Sequence, residues 1–182
     1  MSRAVGLAVN GRACTLQVED HHVLLDVLRD QLGLHGVRDG CSVGICGACT
    51  VLLDGAPASS CLLLAARLEG RSVTTIEGLG SERELHPVQQ AFLEAGALQC
   101  GYCTPGLVLS VTALLVETRD PSPELVRRYL SGNLCRCCAY PDILRAVDMA
   151  RLSHVGGPEM APHPQRSEAP RETRGAPRFP VL

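Results

Sequence analysis

The sequence predicts an α+β fold, with a small mixed β-sheet in the first half of the chain and a group of helices in the second. Three observations lead to this prediction. Apolar and polar residues alternate near the N-terminus, the apolar spacing changes to about 3.6 residues after Gly80, and the helical stretches that follow begin at prolines. The chain of 182 residues is long enough for two small domains, and the boundary between them is predicted near residues 76–84.

Local patterns define the elements of the first half. Residues 5–9 and 14–18 alternate on either side of Asn10-Gly11, a typical hairpin turn because glycine tolerates a positive φ. Apolar spacing and turn residues then predict a helix at 23–33 that ends at a glycine, and strands at 49–55 and 72–76.

Prolines mark the beginning of each helix in the second half. The predicted helices start at Pro87, at Thr104-Pro105, at Ser122-Pro123 and at Pro141. Thr104 is the predicted N-cap of the second helix. Four short helices of this kind predict a compact bundle.

The C-terminal segment differs from the rest in composition. From Gly156 onward it is rich in Pro, Gly, Arg and Glu and shows no apolar period. Such a segment buries too little surface to offset its ordering entropy. Residues 156–182 are therefore expected to form a flexible tail or to lie extended on a partner.

Charge and hydropathy exclude several classes of protein. A formal net charge of −2 argues against a nucleic-acid binder, which normally carries a basic surface. The apolar run 106–116 is much shorter than a membrane span, and the N-terminus lacks the apolar segment of an export signal. The expected location is the cytoplasm, where disulfides are rare and clustered cysteines more often bind metals.

Four of the ten cysteines lie between residues 41 and 61. Their spacing is C-x4-C-x2-C followed by a fourth cysteine, which is typical of a plant-type 2Fe-2S site. Glycines at 40, 44 and 47 let the backbone approach the sulfurs and direct N–H groups toward them. The residues of this set are Cys41, Cys46, Cys49 and Cys61.

A second set of four lies in the helical half. Cys100 and Cys103 precede the second helix, and Cys135 and Cys137 precede the fourth. If the helices pack antiparallel, these two turns meet and form a second site. Cys14 and Cys138 remain; Cys14 lies on an alternating strand and is expected to act as a small buried hydrophobe.

Spacing alone leaves other interpretations of the cysteines open. Zinc is the main alternative, above all for the second set, because four cysteines are a common zinc site. Zinc ribbons usually pair two C-x2-C motifs, from which the first set departs. A disulfide framework would require an oxidising compartment.

Several motifs occur in a characteristic order: "GCSVGICGACTVLLDG", "SCLLLA", "TIEGL", "HPVQQAF", "QCGYCTPG" and "GNLCRC". Together they resemble the iron–sulfur subunit of the molybdenum hydroxylases, the family of bacterial xanthine dehydrogenases and aerobic carbon monoxide dehydrogenases. The resemblance covers about residues 4–153. It implies a ferredoxin-like β-grasp domain at 1–78, a helical 2Fe-2S-binding domain at 79–155 with a four-helix bundle, and the tail.

The resemblance also implies roles for individual residues. Cys41, Cys46, Cys49 and Cys61 would bind the first 2Fe-2S cluster, and Cys100, Cys103, Cys135 and Cys137 would bind the second. Gln99 and the Cys137 position would lie beside a molybdopterin-type molybdenum cofactor on a large partner subunit. The first cluster would face FAD on a medium subunit, in a dimer of heterotrimers.

The function implied is electron transfer within an oxidoreductase, with no substrate chemistry on this chain. Two other functions stay open at this point: a free-standing 2Fe-2S electron carrier and a zinc-stabilised interaction module. The chain departs from the family pattern "CRCTGY" at Cys138 and Ala139. Cys138 is expected to pack without a metal; the alternative is that it exchanges with a ligand or alters the cluster potential.

Overall fold

The computed structural model of the protein describes residues 2–81 and 83–153. The tail predicted at 156–182 lies outside the described residues. Within the described range no helix has the length and apolar character needed to cross a membrane.

A mixed sheet of five strands forms the first half of the fold, with the order β2-β1-β5-β3-β4. β1 and β5 run parallel, and the other neighbouring strands are antiparallel. The strands are β1 (Ser2–Val9), β2 (Arg12–Glu19), β3 (Thr50–Leu53), β4 (Ala56–Ser59) and β5 (Ser72–Thr74). With the helices described below, this sheet confirms the predicted α+β class.

Two tight hairpins shape the sheet. β1 and β2 join at Asn10-Gly11, where both residues have positive φ angles of 50° and 75°, as predicted. β3 and β4 join at Asp54-Gly55 in the same way, with φ angles of 48° and 84°. β4 is not among the strands predicted from the sequence, because its four residues include a proline and show no alternation.

The helical segment of the first half is shorter than predicted. α1 (Leu24–Asp26) continues as a π-helical turn at Val27–Gln31, and the chain then reaches Gly33, which has a φ of 66°. Leu24 and Leu28 are fully buried in the same core as the inner residues of β1 and β2. Short 3₁₀ turns occur at Ser60–Leu62, Ala65–Arg67 and Ile76–Gly78.

Four helices share one core in the second half. They are α2 (Pro87–Glu94), α3 (Thr104–Glu117), α4 (Pro123–Leu130) and α5 (Tyr140–Leu152). Ser122 caps α4 as its hydroxyl accepts the N–H of Leu125, and His86 caps α2 in a capping box with Gln89.

The predicted N-cap role of Thr104 is wrong. Cys103 already has helical backbone angles (φ −83°, ψ −13°) and occupies the N-cap position. Thr104 is therefore the first residue of the helix and not its cap. From there the Thr104 hydroxyl does not reach the unpaired N–H groups of the first turn. It is buried without a hydrogen-bond partner among the described residues.

The two halves meet at a close contact that we call the seam: Gly47 and Thr50 on the sheet side, and Gly106, Ser110 and Asn133 on the helical side. Asn133 is buried; its Nδ2 donates to Gly47 O (3.1 Å) and Thr50 Oγ1 (3.3 Å), and its Oδ1 accepts from Ser110 Oγ (3.0 Å). A Cβ on Gly106 would lie only 2.2 Å from Gly47 O. Backbone of one half is thus in direct contact with backbone of the other.

We predict that Gly106→Ala destabilises the protein although alanine is favoured over glycine inside a helix by about 1 kcal/mol. The added methyl group would overlap a backbone oxygen, and overpacking of this kind costs about 1–3 kcal/mol. The midpoint of thermal unfolding measures the effect. Gly132→Ala is the matched control, because a Cβ there meets nothing within 4 Å. Equal midpoints for the two variants would contradict the close approach.

Candidate metal centres

The first four cysteines, which we call the sheet quartet, surround an irregular loop beside the sheet. Cys41, Cys46 and Cys49 lie between the π-helical turn and β3, and Cys61 lies in the 3₁₀ turn after β4. Hydrogen-bonding contacts join the thiols of Cys41 and Cys46, and those of Cys49 and Cys61; charge interactions link the two pairs. The structure therefore brings all four predicted residues together.

Backbone N–H groups point at the outer sulfur of the sheet quartet. Those of Ile45 and Cys46 each lie 3.4 Å from Cys41 Sγ. The N–H of Val43, together with these two, lowers the pKa of the Cys41 thiol to about 7. Burial, with the neighbouring thiol of Cys49, raises the pKa of Cys61 to about 11. The outer thiol ionises easily, whereas the inner thiol loses its proton only to a strong competitor such as a metal.

The second four cysteines form the helical quartet. Cys100 and Cys103 lie in the loop between α2 and α3, and Cys135 and Cys137 lie in the turn between α4 and α5. Contacts join the thiols of Cys100 and Cys137, and those of Cys103 and Cys135; a charge interaction links Cys103 with Cys100. The helices place these two turns side by side, as the sequence predicted.

The helical quartet repeats the electrostatic pattern of the first. Burial raises the pKa of Cys103 to about 12, whereas the N–H of Tyr102 lowers the pKa of the exposed Cys100 thiol. The N–H of Ala139 lies 3.4 Å from Cys135 Sγ. The backbone N–H of Cys135 donates in turn to the hydroxyl of Tyr140 (3.0 Å). Each quartet therefore has an inner, protonated side and an outer side that favours the thiolate.

Gln99 and Cys137 lie next to each other at the exposed edge of the helical quartet. The Gln99 Nε2 donates to the backbone oxygen of Cys137 at 3.4 Å. Gln99 is exposed and Cys137 is half-buried. The two residues proposed to contact a partner's cofactor are therefore adjacent and accessible.

The two remaining cysteines lie apart from the quartets in different ways. Cys14 is half-buried on β2, packs against the sheet core and donates its S–H to Leu7 O (3.4 Å). Cys138 is exposed and adopts a positive φ of 60°, in the turn just before α5. Ala139 is buried with a φ of −75°, so the backbone at this position does not require the family's glycine.

The donor sets fit 2Fe-2S clusters. All ten cysteines are free of disulfides. Within the described part of the chain no three side chains of His, Cys, Asp or Glu surround a point in the manner required by one metal ion. Each quartet instead presents two pairs of thiols. Four cysteine thiolates are the donor set of a 2Fe-2S cluster.

Two residues that support the quartets escaped sequence reasoning. Asn133 holds the loop of the sheet quartet from the helical half. Tyr102, between Cys100 and Cys103, donates its hydroxyl hydrogen to the backbone oxygen of Asp39. Both lie inside recognised motifs, "GNLCRC" and "QCGYC", but the motifs do not reveal a partner on the other half of the fold.

Comparisons with known proteins agree with this geometry. The family model of the 2Fe-2S iron-sulfur cluster binding domain matches residues 7–74, and that of the 2Fe-2S binding domain matches residues 75–148. A nicotinate dehydrogenase subunit of Pseudomonas putida is 47% identical over 150 residues, which cover 82% of this chain and 96% of that protein. A probable xanthine dehydrogenase subunit of Bacillus subtilis is 44% identical over 151 residues, covering 83% and 87%.

Solved structures show the same fold. Quinoline 2-oxidoreductase from Pseudomonas putida matches with a TM-score of 0.81 and 40% identity, over 86% of this chain and 99% of that chain. The aldehyde oxidoreductase from Desulfovibrio desulfuricans matches with a TM-score of 0.81 and 44% identity, but only 18% of that chain is covered. With two domain models and relatives that match over most of both chains, this protein belongs to the 2Fe-2S iron–sulfur small subunits of the molybdenum hydroxylase family.

Proposed function

We propose that this chain relays electrons from a molybdopterin centre on a large partner subunit, through two 2Fe-2S clusters, to FAD on a medium subunit. The observation that carries the proposal is the pair of thiol quartets, held side by side by the seam. Relatives of this chain are named as subunits of nicotinate and xanthine dehydrogenases. On this proposal the chain is the iron–sulfur subunit of an oxidoreductase complex and carries out no substrate chemistry itself.

We assign the eight cysteines of the two quartets as cluster ligands. In the sheet quartet the thiols of Cys41 and Cys46 contact each other, as do those of Cys49 and Cys61, and all four would bind one cluster. In the helical quartet the corresponding pairs are Cys100 with Cys137 and Cys103 with Cys135.

The residues around each quartet set how readily it takes an electron. When bound, a 2Fe-2S cluster accepts and releases one electron at a time and gains negative charge on reduction. The N–H groups of Ile45 and Cys46 stabilise that charge on the Cys41 sulfur, and the N–H of Ala139 does so on Cys135. Burial of Cys49, Cys61 and Cys135 opposes the added charge. The balance of these effects sets each potential.

The surfaces near the quartets support two partner contacts. Gln99 and Cys137 are adjacent at the accessible edge of the helical quartet, which supports a contact with the molybdopterin cofactor of the large subunit. Val43, Ile45 and Leu62, near the sheet quartet, are each about 60% exposed and form an apolar face suited to the FAD subunit. We further propose a dimer of heterotrimers in the cytoplasm, where disulfides are rare and clustered cysteines more often bind metals.

The same assignment divides the chain into a ferredoxin-like β-grasp domain at 1–78 and a helical 2Fe-2S-binding domain at 79–155. Separate cores support this division, one around β1, β2 and α1 and one among the four helices. The helical core supports a four-helix bundle as the second domain.

The cluster assignment predicts the metal content of variants. Iron and labile-sulfide assays on the purified complex should find about four of each per chain, falling to about two in either Cys41→Ala or Cys100→Ala. Both cysteines lie on the accessible side of their quartets, so the fold should survive. Cys14→Ala is the control and should keep the full iron content. Zinc in place of iron, or unchanged iron in both variants, would contradict the proposal.

The adjacent cysteines Cys137 and Cys138 allow a matched test of ligand identity. We expect Cys137→Ser to abolish or alter the electron-paramagnetic-resonance signal of one cluster, and Cys138→Ser to leave both signals unchanged. The reason is that Cys137 contacts the Cys100 thiol, whereas Cys138 is exposed and turned toward the backbone oxygen of Arg136. An altered signal in Cys138→Ser would make that thiol a ligand or a direct neighbour of the cluster.

A further inference from the structure

A cation–π contact joins the segments that carry the two quartets. Arg38 precedes the sheet-quartet loop, and its Cζ atom lies 5.2 Å from the ring centroid of Tyr102, within cation–π range. Tyr102 belongs to the other quartet's loop, between Cys100 and Cys103. Its hydroxyl donates to the backbone oxygen of Asp39, which fixes the ring against the sheet-quartet loop. A side chain of each loop therefore contacts the other loop.

The positive charge of Arg38 acts on a sulfur of the helical quartet, not on a carboxylate. The side chain is half-buried and makes no ion pair with any carboxylate among residues 2–81 and 83–153. The carboxylate of the adjacent Asp39 accepts the Ser42 hydroxyl instead. The Arg38 guanidinium interacts electrostatically with the Cys100 sulfur, so the negative group that it faces belongs to the helical quartet.

We propose that Arg38, held over the Tyr102 ring, sets the difference in reduction potential between the two clusters by stabilising the reduced helical-quartet cluster. The inference rests on the proposed function, because it takes the Cys100 sulfur that Arg38 faces as a ligand of an anionic cluster. A fixed positive charge favours the more negative, reduced state, and partial burial weakens the screening by solvent and salt. The ring that holds the guanidinium lies between two cysteines of the helical quartet, so that cluster receives the larger effect.

Removal of the charge should separate this role from a structural one. In Arg38→Gln, within the purified complex, we expect the equilibrium constant for reducing the helical-quartet cluster to fall about tenfold, which is about 59 mV for a one-electron couple. The sheet-quartet cluster should change by less than half as much. A redox titration followed by electron paramagnetic resonance measures both, and the signal lost in Cys100→Ala identifies the helical-quartet cluster.

Two further variants serve as controls. Arg38→Lys keeps the charge and should retain most of the wild-type separation between the two potentials. Arg127→Gln removes the same charge from the exposed face of α4 and should change neither potential. If Arg38→Gln loses iron, Tyr102→Leu is measured in its place. This variant keeps the positive charge of Arg38 but removes the ring that holds it. The reduction potential of the helical-quartet cluster should then fall by less than in Arg38→Gln.

The outcomes distinguish the inference from the proposed function. A wild-type complex without two iron–sulfur signals would overturn the proposed function itself. Two normal wild-type signals with an unchanged separation in Arg38→Gln, or in Tyr102→Leu where that variant is used, would overturn only the inference. An equal shift in Arg38→Lys and Arg38→Gln would also overturn it, because the effect would then follow the shape of the side chain and not its charge.

Discussion

The buried amide of Asn133 and the backbone contact beside it determine how the two halves of this protein are arranged. The amide uses both hydrogens and its oxygen on groups from the two halves. Because Gly106 has no side chain, α3 lies directly against the carbonyl of Gly47, within the loop that carries three cysteines. The Leu134 N–H donates to Cys46 O (2.9 Å) and adds a third link at the same place. These groups, together with the buried apolar contact of Leu52 with Leu109 and Ala113, hold the two sets of thiols in one arrangement.

The electrostatic design of the two quartets is similar although their frameworks differ. A glycine-rich loop beside a sheet forms one, and two interhelical turns form the other. In both, backbone N–H groups face a sulfur while burial raises the pKa of an inner thiol. A cluster site of this kind requires only local features, namely a few N–H donors directed at a sulfur and an inner side that is shielded from water. Different backbones satisfy that requirement equally well.

Much of this arrangement was predictable because its signals are local. Asn10-Gly11, the prolines that begin helices and the cysteine spacings each determine the structure of a few neighbouring residues. The prediction failed where the outcome depended on distant contacts or on backbone angles. Thr104 has the residue type of an N-cap, but the helical angles of Cys103 place it inside the helix. No repeating pattern in the sequence shows which residues Asn133 contacts on the other half of the fold. The same is true of the contact between Tyr102 and Asp39.

The uneven acidity of the thiols within each quartet has a consequence for how the protein matures. Cys41 and Cys100 face solvent more than Cys61 and Cys103 do, and they ionise at lower pH. Metal binding displaces thiol protons, so filling either quartet would expel protons from its buried side, and the accessible sulfurs are the ones that an incoming metal would meet first. Partner subunits on the proposed surfaces would cover those accessible sulfurs.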